Sequence, residues 1–326
     1  MDHRPVLARV LMVAMVTIAA APPLIHAQDR LSRDFYSASC PNVESIVTTT
    51  MNRLSSENNV VPIGMLRLFA HDCFVEGCDA SILLTGASTE RAATDNLDFP
   101  QNPFDAMDEL KKTVEESCPG VVSCADILAM ATRDAVTFSG GPSWTVLKGR
   151  LDGTISRESR VAGHLPGADF DVEELESNFG ALGLSLEDMV VLSGAHTIGF
   201  SHCHQFTSRL YGSSGSDPSL SPSFVSTLQK QCPQFGGNPT TVQAFDISTP
   251  FAFDNLYYKH LLTDEGLLVS DSTLTTRNDT LRLVNLFANS QEAFFSAFAR
   301  SMVRLGSVGV KTGSGGEIRR VCSRVN

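Results

Sequence analysis

The sequence predicts an all-α fold, or one very nearly so. Eleven segments carry apolar residues at three-four spacing, the pattern of a helix with one buried face. Several open behind a capping residue, and clusters of Gly, Pro and Ser separate them.

Taken in order, 42–55 sets Val43, Val47 and Leu54 on one stripe, and 60–73 does the same with Met65, Leu68 and Phe69. Phe104, Met107, Leu110 and Val114 give 103–117 its period, and Ile127, Leu128, Ala131 and Ala135 give that of 124–138. Val172, Leu175, Phe179 and Leu182 mark 172–182. The helix 186–192 starts behind Ser185, a capping residue followed by Leu186-Glu187-Asp188. Phe200, Cys203, Phe206 and Leu210 predict a helix over 197–211. Pro222 behind Ser221 suits the first position of 222–231. Segments 254–263, 280–287 and 291–305 complete the set, the last through Phe294, Phe298, Met302 and Leu305. The stretch 154–167 is the longest irregular one and a boundary between lobes. Gly313-Ser314-Gly315-Gly316 follows no strand and opens no helix, so it reads as a plain loop rather than a phosphate cradle.

Residues 1–27 hold Arg4 and Arg9, an apolar run over 10–21 and the ending Ile25-His26-Ala27. That is the pattern of a secretory signal peptide. It leaves Gln28 as the mature start, a residue that can cyclise to pyrrolidone carboxylic acid, and 28–326 as one domain. The apolar run is shorter than the roughly 20 residues a membrane helix needs. Cleavage takes Lys+Arg from 25 to 23 and Asp+Glu from 36 to 35, a formal charge of −12. So acidic a chain is a poor partner for nucleic acid.

All eight cysteines lie beyond residue 27, and in an exported chain they imply four disulfides. Spacing alone leaves about 105 pairings open. Zinc is the competing use, but only Cys203 has the Cys and His neighbours it would want.

The run from Arg67 to Ser81 carries the densest chemistry. Arg67 and His71 stand four apart and leave one face of a helix together. An imidazole that moves a proton between oxygens, beside a fixed cation that stabilises the departing one, suits cleavage of an O–O bond. By spacing alone the pair is equally a helix surface. Asp72, Asp79 and Ser81 then offer hard oxygens, and the turn through Val75 and Gly77 can add carbonyls. Calcium takes roughly six to eight such ligands. A disulfide between Cys73 and Cys78 would hold that loop. Farther on, Val190-Val191-Leu192-Ser193-Gly194-Ala195-His196-Thr197 places a histidine after small residues that let a flat ring approach, as an axial ligand of haem iron requires.

Further segments accompany these: Phe35-Tyr36, Ser39-Cys40-Pro41-Asn42-Val43, Val122-Ser123-Cys124-Ala125-Asp126-Ile127-Leu128, Gly140-Gly141-Pro142-Ser143-Trp144, Arg209-Leu210-Tyr211, Phe253-Asp254-Asn255-Leu256-Tyr257-Tyr258 and Gly266-Leu267-Leu268-Val269-Ser270-Asp271. Together they make the chain closely resemble the secretory (class III) plant haem peroxidases over essentially all of its mature length. The resemblance implies a two-lobed helical fold with one haem b between a distal and a proximal lobe. It implies that His71 is the distal acid/base, Arg67 the distal cation and Asn96 the acceptor behind His71, with Glu90 beyond it. His196 would be the iron ligand and Asp271 its partner. Two calcium ions are implied. One is held by Asp72, Val75 (carbonyl), Gly77 (carbonyl), Asp79 and Ser81, with Glu90 reaching it through water; the other by Thr197, Asp246, Thr249, Ala252 (carbonyl) and Asp254. The implied disulfides are Cys40–Cys118, Cys73–Cys78, Cys124–Cys322 and Cys203–Cys232. Hydrogen peroxide and small phenolic donors are the implied substrates, the donors meeting the haem edge at Pro166. A secreted monomer of the extracellular space or cell wall is implied, with Asn278-Asp279-Thr280 its usable glycosylation sequon.

Three positions depart from the family pattern. Ala168 stands where a second proline is usual, which loosens the donor segment because alanine does not fix φ. Ala70, beside the distal histidine, replaces the usual Phe and predicts a roomier pocket. Asn102-Pro103-Phe104 replaces Arg-Gly-Phe, a change without a functional reading. Two other classes compete. A catalytically weak haem- and calcium-binding wall protein has no need of Arg67, His71, Asn96, His196 and Asp271 all together. A hydrolase would want a Gly-x-Ser-x-Gly elbow, which the chain lacks.

Overall fold

A computed structural model of the protein describes residues 31–326; the signal peptide and Gln28 lie outside the described residues. The first lobe is built from α1 (Val43–Glu57), α2 (Val60–Val75), α3 (Asn102–Ser117) and α4 (Cys124–Phe138). Twelve of the fifteen residues of α4 are buried, polar Asp126, Thr132 and Asp134 among them, so it forms the centre on which α1, α2 and α3 pack. Ser123 caps it, accepting from the Asp126 N–H at 3.1 Å.

The second lobe opens with α5 (Val172–Ala181) and α6 (Leu186–Ser193), each behind a capping box, Asp171 with Glu174 and Ser185 with Asp188. The short α7 (Thr207–Leu210) and α8 (Pro222–Gln231) follow, with Pro222 in the first turn as expected. α9 (Leu256–Leu261), α10 (Val269–Ser272), α11 (Asn278–Asn289) and α12 (Gln291–Leu305) complete it. α6 is enclosed by α5, α11 and α12. The chain then returns to the first lobe, where Leu151 pairs with Lys311 and Asp152 with Glu317.

The helix expected over 197–211 does not form. Gly199 takes φ +108°, which breaks a helix, and Phe200–His202 becomes β1, paired antiparallel with β2 (Val242–Ala244) in the register Phe200↔Ala244. Only 207–210 of that segment is α-helical; the three-residue period was overridden by backbone pairing with a strand some forty residues on. α10 has four residues, too few to show a period. The stretch 154–167 is irregular apart from a 3-10 turn at Glu158–Arg160.

The four disulfides are Cys40–Cys118, Cys73–Cys78, Cys124–Cys322 and Cys203–Cys232, and no described cysteine is free. Cys124–Cys322 fastens the returning end to α4; Cys203–Cys232 ties the segment after β1 to the end of α8. A second apolar cluster, around Phe206, Phe224 and Leu228, lies beneath α7 and α8. In it the buried Arg209 donates to the carbonyls of Gly266, Leu267 and Leu268 and pairs with Asp217 at 2.8 Å. It thereby fixes the loop that leads into Asp271.

Candidate active site

Between the lobes lies a cavity of about 530 Å3, walled mainly by Ile63, Leu66, Phe170, Phe179 and Leu192, and lined by Arg67 and His71 from the first lobe and by His196 and Asp271 from the second. Arg67 and His71 come from the same face of α2, one turn apart, and the Arg67 Nε–H donates to His71 Nε2 at 3.3 Å. Asn96 arrives from a 3-10 turn at Thr94–Asn96. Its Nδ2 donates to the Glu90 carbonyl at 2.8 Å, which turns Oδ1 toward His71. His71 Nδ1 lies 2.7 Å from that oxygen, so the network assigns the ring proton to Nδ1 and leaves Nε2 unprotonated, its lone pair accepting the long bond from Arg67. Burial, and then the Arg67 charge, push His71 down to about 3.

Phe99 was not singled out in the sequence, although it lies three residues beyond Asn96. Its ring face receives the Arg67 guanidinium at 4.2 Å, and it meets His71 edge-on with centroids 4.9 Å apart. One aromatic side chain therefore braces both groups.

His196 sits in the 3-10 turn Gly194–Thr197 directly after α6. Its Nδ1 lies 2.8 Å from Asp271 Oδ1, which leaves Nε2 available to a ligand. Asp271 is buried; burial alone would raise its pKa, but the nearby His196 and donors from Leu268 N–H and Tyr257 O–H hold it below the ordinary range. Tyr257 and Phe245 are further contacts that sequence reasoning missed. The Phe245 ring stacks on His196 at 4.0 Å and 3°, and β2 delivers it. Gly194 has a packing reason to be small: a Cβ there would stand 2.3 Å from the Tyr258 hydroxyl, so packing on Tyr258 and Phe294 requires glycine.

Behind His71, Asp72, Asp79, Ser81 and Glu90 are all buried. Ser81 Oγ and both Glu90 carboxylate oxygens lack a hydrogen-bond partner. Burial, then Asp79 and Glu90, push Asp72 well up; Glu90 is pushed up to about 7, chiefly by burial. Lys311 Nζ stands 2.6 Å from Asp79 Oδ2, an ion pair without hydrogen-bond alignment. Gly77, at φ +94°, passes so close to Gly309 that a Cβ would meet its carbonyl at 2.6 Å. Among the described residues no three His, Cys, Asp or Glu side chains are already drawn together as a metal centre. Orphaned hard oxygens in a buried, mutually repelling group are nonetheless the donor set a hard cation would satisfy.

On the other side Thr249 Oγ1 bridges Asp246 Oδ2 at 3.1 Å and Asp254 Oδ2 at 2.8 Å, and Thr197 Oγ1 donates to Asp254 Oδ1 at 3.2 Å. Ala252 is in the same turn, its N–H bonded to the Thr249 carbonyl. His260 lies 3.2 Å from Asp246. Of the remaining expected positions, Pro166, Ala168 and Ala70 line the cavity, and Asn278 is exposed at the start of α11.

Comparison with known proteins places the chain in a family. The family model described as Peroxidase matches residues 43–290. Peroxidase 65 of Arabidopsis thaliana is 44% identical over 318 residues, 96% of this chain and 95% of that protein. Peroxidase 41 of the same plant is 44% identical over 320 residues, and Peroxidase 15 of Ipomoea batatas 42% over 310, 92% of this chain and 94% of that protein. A family match over residues 43–290, with 44% identity to named plant peroxidases over nearly the whole chain, establishes that the chain belongs to the peroxidase family, in its class III plant branch, and is a peroxidase.

Proposed function

We propose that this is a secreted peroxidase that reduces hydrogen peroxide and oxidises phenolic donors one electron at a time, in cell-wall phenol coupling and peroxide removal. The observation that carries the reading is the hydrogen-bond chain from the Glu90 carbonyl through Asn96 to His71, facing His196 and Asp271 across one cavity. The cavity suits one haem b, which when bound supplies the iron that takes the peroxide and the capacity to hold its oxidising equivalents.

His71 Nε2 takes the proton of the incoming peroxide and returns it to the leaving oxygen. The Arg67 guanidinium stabilises the negative charge on that oxygen as the bond breaks. Asn96 holds the His71 tautomer that makes this possible. His196 Nε2 would hold the iron, and Asp271, by accepting the Nδ1–H, would give the imidazole anionic character. Donors approach along Pro166, at the rim. One calcium would be held by Asp72, the Val75 and Gly77 carbonyls, Asp79, Ser81 and, through water, Glu90; the other by Thr197, Asp246, Thr249, the Ala252 carbonyl and Asp254. Residues 1–27 are the signal peptide, 28–326 the mature single domain, and Asn278 carries a glycan. Among the described residues no helix is long and apolar enough to cross a membrane. The protein acts as a monomer.

The test is an absorption spectrum of the secreted, calcium-supplied protein before and after one equivalent of hydrogen peroxide. A Soret band that drops and shifts at once, then recovers with guaiacol, supports the reading; a band indifferent to peroxide, or none in folded protein, overturns it. Two variants probe the pocket. Ala70→Phe is expected to slow oxygen transfer to a thioether about tenfold, because the added ring fills space beside His71; equal rates would refute the roomier pocket. Phe99→Leu removes a cation–π contact that contributes about 0.5–2 kcal/mol. Stopped-flow mixing should show a peroxide reaction slowed about two- to thirtyfold at unchanged haem content.

A further inference from the structure

Lys311 lies on the segment that returns to the first lobe, where its carbonyl accepts from the Leu151 N–H at 2.8 Å. From there its partly buried side chain reaches the loop closed by Cys73–Cys78. The ammonium stands 2.6 Å from Asp79 Oδ2 and donates to the Glu76 carbonyl at 3.3 Å. Gly153 confines the same carboxylate oxygen from another side, since a Cβ there would lie 2.2 Å from it. Asp79 Oδ1 takes one N–H, from Ser81 at 2.9 Å, and so keeps a second lone pair for a cation. The surrounding charges then pair off. Glu76 is matched by Arg160 at 3.6 Å, Asp152 by Arg319 at 3.8 Å and Asp79 by Lys311. Two buried carboxylates are left over: Asp72, which accepts only the N–H groups of Ala80 and Ile82, and Glu90, whose oxygens have no hydrogen-bond partner.

We infer that Lys311 is a resident counter-charge that sets the valence of the ion this site accepts. The inference rests on the proposed calcium site beside Asp72. With Lys311 neutralising Asp79, the carboxylates of Asp72 and Glu90 match the charge of one divalent ion, and the buried group closes without excess charge. Without the lysine three buried carboxylates face the ion unmatched, and a trivalent ion becomes the balanced occupant. Interactions between buried charges are weakly screened, so a whole unit of excess charge discriminates between ions of similar size. Lys311 does this from beside the ion: it takes Oδ2 and leaves Oδ1 to ligate, and its contact with Asp79 fixes how that carboxylate is turned. The competing role, bracing the loop through the Glu76 carbonyl, would change the affinity for every cation alike.

The test is a competition between ions of different charge. The holoenzyme is dialysed to equilibrium against radioactive calcium, with terbium(III), a trivalent ion of similar size, as competitor. The calcium that Asp79→Ala fails to bind belongs to this site. Terbium is expected to displace half of that calcium from Lys311→Met at a concentration about tenfold or more below the one the natural protein needs. Lys311→Gln, neutral but polar, should shift the concentration equally, and Lys311→Arg, which keeps the charge, should leave it in place. An unchanged concentration in the two neutral variants, or the same shift in Lys311→Arg, would overturn the inference. Failure of the natural protein to bind calcium that Asp79→Ala lacks would instead overturn the proposed calcium site, and this inference with it.

Discussion

Replacing His71 by leucine is expected to slow the reaction with hydrogen peroxide by roughly 10²–10⁴-fold, the usual contribution of a positioned acid/base. Haem content should be unchanged, because the variant touches neither His196 nor Asp271. Stopped-flow measurement of the peroxide step separates this from any effect on donors, and a loss below about fivefold would remove His71 from the mechanism. The same residue sets the pH dependence. His71 is held down to about 3 by burial and by Arg67, so Nε2 keeps its lone pair through the whole range above that value. The peroxide rate should therefore stay flat from pH 8 to about 4 and fall only below. A cation bound beside Asp72 acts in the same direction. The sign for stability follows: between about 3 and 6.5 the unfolded chain takes up a proton at this position and the folded one does not. This residue's contribution to folding is thus lost as pH drops through that window.

Stripping calcium is expected to have the second largest effect. Asp72, Asp79 and Glu90 are buried together, and Asp72 and Glu90 are pushed upward, so without a cation they cannot all remain ionised at neutral pH. An ion present at a thousand times its dissociation constant stabilises by about 4 kcal/mol. For a chain of this size that corresponds to a drop in Tm of about 6 °C on adding a chelator. Asp79→Ala should reproduce the drop and abolish the response to added calcium. The peroxide step should slow as well, since the Glu90 carbonyl holds Asn96 and Asn96 holds His71. An identical melting curve with and without chelator would exclude the site.

Arg67 and His71 were legible together because both lie on one helix, where a four-residue interval means one face whatever the rest of the chain does. The caps Ser185 and Ser221 and the proline at the start of α8 were legible for the same local reason. The failure at 197–211 is the converse case: a period of three is local, but β1 exists only because β2 lies beside it. Phe99, Tyr257 and Phe245 escaped notice because an aromatic residue in a sequence carries no sign of which ring or charge it will meet.

The sequence by itself determined the helical class, the shared face of Arg67 and His71 on α2, the supply of hard oxygens around the Cys73–Cys78 loop and, through its segments, the family. Only the tertiary structure decided which groups act as pairs. His71 meets Asn96 across 25 residues and His196 meets Asp271 across 75, and the proton positions on both rings depend on those meetings. A side chain's chemistry is written in its identity, but its tautomer, its charge and its partner are set by burial and by neighbours that the chain brings in from far away.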